Sequence, residues 1–139
     1  MSLILGFGLE FWWPLTFTHV IDRELLHVLG APLLLLGSAL IYMAKREMAR
    51  HGQPSEPHQA TARIVTSGPF KYSRNPLYTG LLLAYLGLSV GTDMPWWTLL
   101  FIPTMFATRA VLIAPEERYL EHKFGQDYLA YKRAVRRWL

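Results

Sequence analysis

Residues 74–78, Arg-Asn-Pro-Leu-Tyr, set a guanidinium, an amide and a phenol close together at the edge of an uncharged run. Asn caps helices well and Pro suits the first helical position, so Asn75-Pro76 predicts a helix start. Arg74 does not belong to that explanation. A cation beside a helix N-terminus opposes the macrodipole unless an anion is present. Guanidinium and free helix N–H groups together make a receptor for a carboxylate or a phosphate. Tyr78 follows on the same side, one turn deeper. Phe70 and Tyr72 add aromatic surface, which an interfacial aromatic belt explains equally well. Gly68-Pro69, just upstream, reads as a turn.

A second group lies near the C-terminus. Pro115 suits a helix start, and Leu120, Phe124, Tyr128, Tyr131, Val135 and Trp138 then recur at helical spacing, which predicts an amphipathic helix over 115–138. Lys132, Arg133, Arg136 and Arg137 fall off this stripe, and Gly125 marks a bend. Glu117 sits one turn before Leu120 and heads the apolar stripe. Two readings are open: Glu116 and Glu117 complement the helix dipole, or Glu117 points inward toward a ligand.

The elements that must position these groups are apolar. Of 139 residues, 52% are hydrophobic and 17% charged, against a usual charged share of roughly 25%. Leu25–Ala44, Pro76–Thr92 and Met94–Thr108 carry no formal charge except at their flanks. Spans are expected near 3–21, 25–44, 76–92 and 94–114, the first interrupted by Pro14 and holding Glu10. The fold class expected is all-α: a polytopic membrane bundle of about four transmembrane helices, with the tail helix 115–138 over its cytoplasmic face. Twelve of the 14 basic residues lie in the 45–75 connection or after residue 114. The positive-inside rule therefore places that loop and both termini in the cytoplasm, and the expected location is a bacterial inner membrane. Most of these cations read as topology and attraction to anionic lipid.

Several classes are set aside. Cysteine is absent, which removes disulfides and thiolate metal sites. His19, His27, His51, His58 and His122 show no ligand spacing, so no metal is expected. The basic residues form no groove for nucleic acid, and no G-x-G-x-x-G loop or strand–helix alternation is present. The N-terminus does not read as a cleaved signal peptide. Gly80, Gly87 and Gly91 read as helix-packing positions.

The stretch "TSGPFKYSRNPLYTG", a helical hairpin, and then "PEERYLEHKFGQDYLAYKRAV" resembles the isoprenylcysteine carboxyl methyltransferase and phospholipid methyltransferase group of integral membrane enzymes. The shared pattern is a Gly-Pro-aromatic turn, Arg-His-Pro-x-Tyr-x-Gly, then Glu-Glu, then Phe-Gly-x-x-Tyr-x-x-Tyr. Asn75 replaces the His of that pattern, and Asn does not titrate near neutrality. Lys123 stands where Arg is frequent, keeping the charge but losing the fork. The resemblance implies S-adenosylmethionine as cofactor, held by Gly68, Pro69, Tyr72, Asn75, Pro76, Tyr78 and Glu116. It implies Arg74, Glu117 and Lys123 at the reacting end, with a lipophilic methyl acceptor and membrane lipids as partners.

Methyl transfer from a sulfonium is an in-line displacement, so alignment is the main task. A carboxylate acceptor needs a cation to place it but no base, whereas an amine must lose a proton, which would give Glu117 more to do. The acceptors expected are a prenyl-cysteine carboxylate or, alternatively, a phosphatidylethanolamine nitrogen. A non-catalytic membrane protein binding anionic lipid is the reading from another class. A longer-chained family with related architecture that reduces sterols ranks below both.

Overall fold

Proline cuts the apolar runs more often than their hydropathy suggests. In the computed structural model, which describes residues 2–52 and 63–138, every regular element is helical. The helices are α1 (Ser2–Trp12), α2 (Arg23–Arg50), α3 (Pro76–Gly91), α4 (Pro95–Leu99), α5 (Phe101–Thr108), α6 (Ala114–Phe124) and α7 (Gln126–Ala134). The 45–75 connection is described on either side of 53–62. That stretch, with His58, lies outside the described residues.

Among the described residues, α2 alone is long and apolar enough to cross a bilayer. Its 28 residues rise about 42 Å. Glu24 in its first turn and Arg50 in its last complement the dipole. The 16 residues of α3 rise about 24 Å, short of a ~30 Å hydrocarbon core. The other two expected spans are not continuous rods. α1 stops before Pro14, and the chain turns through a short 3₁₀ segment at Phe17–His19. In 94–114, Pro103 has no N–H for the Leu99 carbonyl, and α4 ends there. Pro115 likewise cannot bond the carbonyl of Val111, and Arg109–Ile113 widens into a π-helical turn. The tail is also divided. Gly125 adopts φ 53°, ψ −121°, a conformation open essentially to glycine alone, and separates α6 from α7.

The chain forms two compact units. The first comprises Met1–Ser38 and Leu81–Phe106. Its helices approach to backbone contact: a Cβ on Gly87 would lie 2.3 Å from the Leu34 nitrogen, and one on Gly30 would lie 2.5 Å from the Gly91 nitrogen. Trp97 is the centre of its aromatic packing, edge-on to Phe7 at 5.0 Å and stacked near Tyr85 at 6.2 Å. The Tyr85 hydroxyl donates to the Trp97 carbonyl at 2.7 Å. Asp93, at φ 56°, accepts from the Phe17 N–H and from the Thr18 hydroxyl.

The second unit comprises Ala39–Gly80 and Ala107–Leu139. It holds the C-terminal part of α2, the Gly68–Lys71 3₁₀ turn, the start of α3, and α6 with α7. Ala44, Ile113 and Tyr128 form its most buried apolar positions. All ten candidate site residues belong to this unit.

Candidate functional site

The turn Gly68–Lys71 leads straight into α3, and the chain's last residues return to lie against it. Arg74 N–H donates to the Arg136 carbonyl at 2.9 Å, and the Ser73 hydroxyl donates to the Arg137 carbonyl at 3.0 Å. The Tyr131 hydroxyl donates to the Phe70 carbonyl at 2.7 Å. Val135 is extended (φ −124°, ψ 133°), which ends α7 and lets 136–137 double back. Burial shapes the tyrosines here. It pushes the Tyr128 hydroxyl up to about 12, helped by the Glu117 charge, and it raises Tyr131 as well. Both hydroxyls stay protonated and can donate at neutral pH.

Glu117 is the hub. Its side chain is 6% exposed and accepts a fork from Arg137, Nε at 2.9 Å and Nη2 at 2.7 Å. Arg74, 7% exposed, brings Nη1 to 3.2 Å from the same carboxylate. Nη1 is close enough to pair by charge but out of line for a hydrogen bond, so Arg74 Nη1 and Nε both lack a hydrogen-bond partner. Asn75 occupies the cap position, its carbonyl accepting from Thr79 N–H at 3.0 Å, while its buried Nδ2 also has no partner. Pro76 is fully buried beneath it. Tyr78 lies one turn deeper and faces the carboxylate of Glu116, which is otherwise on the exposed side of α6.

The anion that Arg74 requires is therefore in large part this chain's own Glu117. Burial alone would raise the Glu117 carboxyl; the Arg137 fork and the Arg74 and Arg137 charges outweigh it and hold it below the ordinary glutamate value of 4.5. A carboxyl with a lowered folded value stabilises the fold above its unfolded value, and this contribution is lost as pH falls through the folded value. The melting-temperature gap between wild type and Glu117→Gln should thus be full from neutral pH to about 5 and close below about 4.5. Thermal melts of the two proteins across that range check it.

The expected residues divide into three places. Arg74, Asn75, Pro76, Tyr78, Glu116 and Glu117 meet around the start of α3. Gly68, Pro69 and Tyr72 instead line a cavity of about 540 Å³ between the Gly68–Lys71 turn and the end of α2. Lys123 joins neither: it is exposed, bonds the Tyr119 hydroxyl at 3.0 Å, and lies over the Tyr119 ring. It falls six residues past Glu117, on a different face of α6. The sequence reading missed Arg137. Its position off the tail's apolar stripe suggested a solvated cation, and the extended backbone at Val135 that swings it inward has no periodic signal.

Comparison with known proteins bears on this arrangement. An uncharacterized protein of Haemophilus influenzae is 40% identical over 65 residues, covering 45% of this chain and 100% of its own length. Protein-S-isoprenylcysteine O-methyltransferase B of Arabidopsis thaliana is 26% identical over 128 residues, covering 91% of this chain. The chain spans 59% of that relative's length. No solved structure matches. The family model for phospholipid methyltransferase matches residues 25–127, which hold nearly all of α2, the turn, all of α3 and the Glu116-Glu117 pair. With the first motif segment and the Glu116-Glu117 start of the second inside that match, and the two segments folded against each other, the chain belongs to the phospholipid methyltransferase family, a group of membrane methyltransferases that use S-adenosylmethionine, and is a distant homologue of isoprenylcysteine O-methyltransferase.

Proposed function

We propose that this chain is an S-adenosylmethionine-dependent methyltransferase that acts on a lipophilic acceptor at the cytoplasmic face of a membrane, in the manner of an isoprenylcysteine carboxyl O-methyltransferase. The observation that carries the proposal is the Arg74–Glu117–Arg137 cluster, which binds the two motif segments together beside buried donors on Arg74 and Asn75 that make no hydrogen bond. In this reading the chain is a polytopic bundle with both termini in the cytoplasm. Most of the surface of α2 supports a lipid setting: Val28 is 65% exposed and Leu35 is 69% exposed, a costly arrangement in water.

The residues present fit the cofactor. Asn75 Nδ2 and Arg74 Nε, buried donors that make no hydrogen bond, suit a carboxylate, while the Tyr78 ring and Glu116 suit a cationic centre. When bound, the cofactor supplies an already activated methyl group. The protein's own work is then alignment. Arg74 and Glu117 act as positioning residues, and Lys123 has no part in the reacting end. Glu117, held ionised by two guanidinium groups, is a weak base. That favours an acceptor oxygen already negative, a carboxylate, over an ammonium that must first lose a proton.

Incubating the protein with labelled methyl donor and membrane lipid extract tests both choices. A labelled lipid whose label is released as methanol by mild alkali is expected, since a methyl ester hydrolyses and a methylated amine does not. A labelled phospholipid that releases no volatile label under mild alkali, its label staying in the water-soluble headgroup fragment, would establish the amine acceptor instead, and no labelled lipid would remove the enzymatic reading.

A further inference from the structure

The cavity at the end of α2 has the wrong charge for the proposed cofactor. S-adenosylmethionine carries two positive groups and one negative group. Arg46, Arg50 and Lys71 line the cavity against a single carboxylate, Glu47. That carboxylate is already committed: it accepts from the Ser67 hydroxyl, and it pairs with Arg50 at 3.3 Å and with the His51 ring at 3.4 Å. Ser67 in turn meets His51 Nε2 at 2.8 Å, so Glu47 serves to fix the turn to the helix. Arg46 and Lys71 make no ion pair among the described residues. Beside this cationic rim the wall is apolar, formed by Met43 and Leu40, about one and two turns before Arg46 and nearer the middle of α2.

From this juxtaposition of rim and wall we infer a binding site for the phosphate headgroup of an anionic membrane lipid, separate from the methyl-transfer cluster. Arg46 and Lys71 hold the phosphate, and the first part of an acyl chain lies along Leu40 and Met43. The apolar wall is what distinguishes a lipid from a free phosphate ion, which would gain nothing from it. This inference does not depend on the methyltransferase reading. It reassigns Gly68, Pro69 and Tyr72 from the cofactor to the lipid site.

The test is native mass spectrometry of the full chain, released from detergent after equilibration with equal phosphatidylglycerol and phosphatidylcholine. The wild type should retain one phosphatidylglycerol with about tenfold preference, the effect of roughly one well-formed charged contact. Arg46→Gln/Lys71→Gln should bring the preference to near parity, while Arg118→Gln/Arg133→Gln, which removes equal charge from exposed positions on the tail, should leave it intact. S-adenosylhomocysteine binding, measured by calorimetry, should be unchanged in Arg46→Gln/Lys71→Gln. No preference in the wild type, or equal loss in both double variants, would overturn the site. Displacement of the lipid by excess inorganic phosphate would show that a soluble anion is the occupant and overturn the lipid assignment. Loss of S-adenosylhomocysteine binding in Arg46→Gln/Lys71→Gln would return the cavity to the cofactor. A wild type that retains the lipid but binds no S-adenosylhomocysteine would leave this site standing and remove the proposed function.

Discussion

Glu117→Ala should abolish methyl transfer and lower the melting temperature by about 10 °C. Breaking a buried pair leaves an uncompensated charge, a loss of about 3–5 kcal/mol, and roughly 2–4 °C accompanies each kcal/mol in a chain of this size. Here the group left behind is Arg74, whose side chain is 7% exposed and has two nitrogens without hydrogen bonds even in the wild type. The variant also frees Arg137 and with it the doubled-back end of the tail. Loss of alignment of this kind reduces rate by about a hundredfold or more even where folding survives. Arg137→Ala should be milder, about 1.5–3 kcal/mol, because Glu117 keeps Arg74 as a partner. Melts in detergent paired with transfer from labelled donor separate the two effects. A Glu117→Ala protein that melts and transfers like the wild type would remove the cluster from any role.

Gly87→Leu should be comparably damaging for a different reason. The nearest atoms to a new Cβ are backbone, the Leu34 nitrogen at 2.3 Å and the Gly30 oxygen at 2.7 Å, so no side-chain rotation can make room. The helices must separate, which costs about 3 kcal/mol or more by overpacking and by loss of close helix contact. Gly8→Ala is the internal control. Nothing lies within 4 Å of a Cβ there, and stability should stay within about 0.5 kcal/mol of the wild type. Equal melting temperatures for Gly87→Leu and Gly8→Ala would mean that the helix pair does not pack at Gly87.

How much of this was legible in the sequence depended on range. Arg74 was conspicuous because a lone cation at a helix start violates a local electrostatic rule, and Glu117 because it headed an apolar stripe. Both rules operate within one turn, and the two residues found each other across 43 positions. The number of rods was not legible from hydropathy, which is blind to backbone donors. Pro103 and Pro115 keep the apolar character of 94–114 while each removes a bond, and the outcome is two short helices and a π turn. Arg137 and the cavity lay beyond reach for another reason. Each depends on a chain reversal, at Val135 and at Gly68, and a reversal sets side-chain direction without leaving a repeat in the sequence.

The claim on which the rest depends is that the start of α3 and the tail together hold S-adenosylmethionine. Calorimetric titration of the purified chain with S-adenosylhomocysteine tests it most directly. Saturable binding is expected, weakened about three- to tenfold in Asn75→Ala through loss of one hydrogen bond from Nδ2. Absence of binding heat in the wild type across several temperatures, where a changing enthalpy cannot conceal it, would contradict the account.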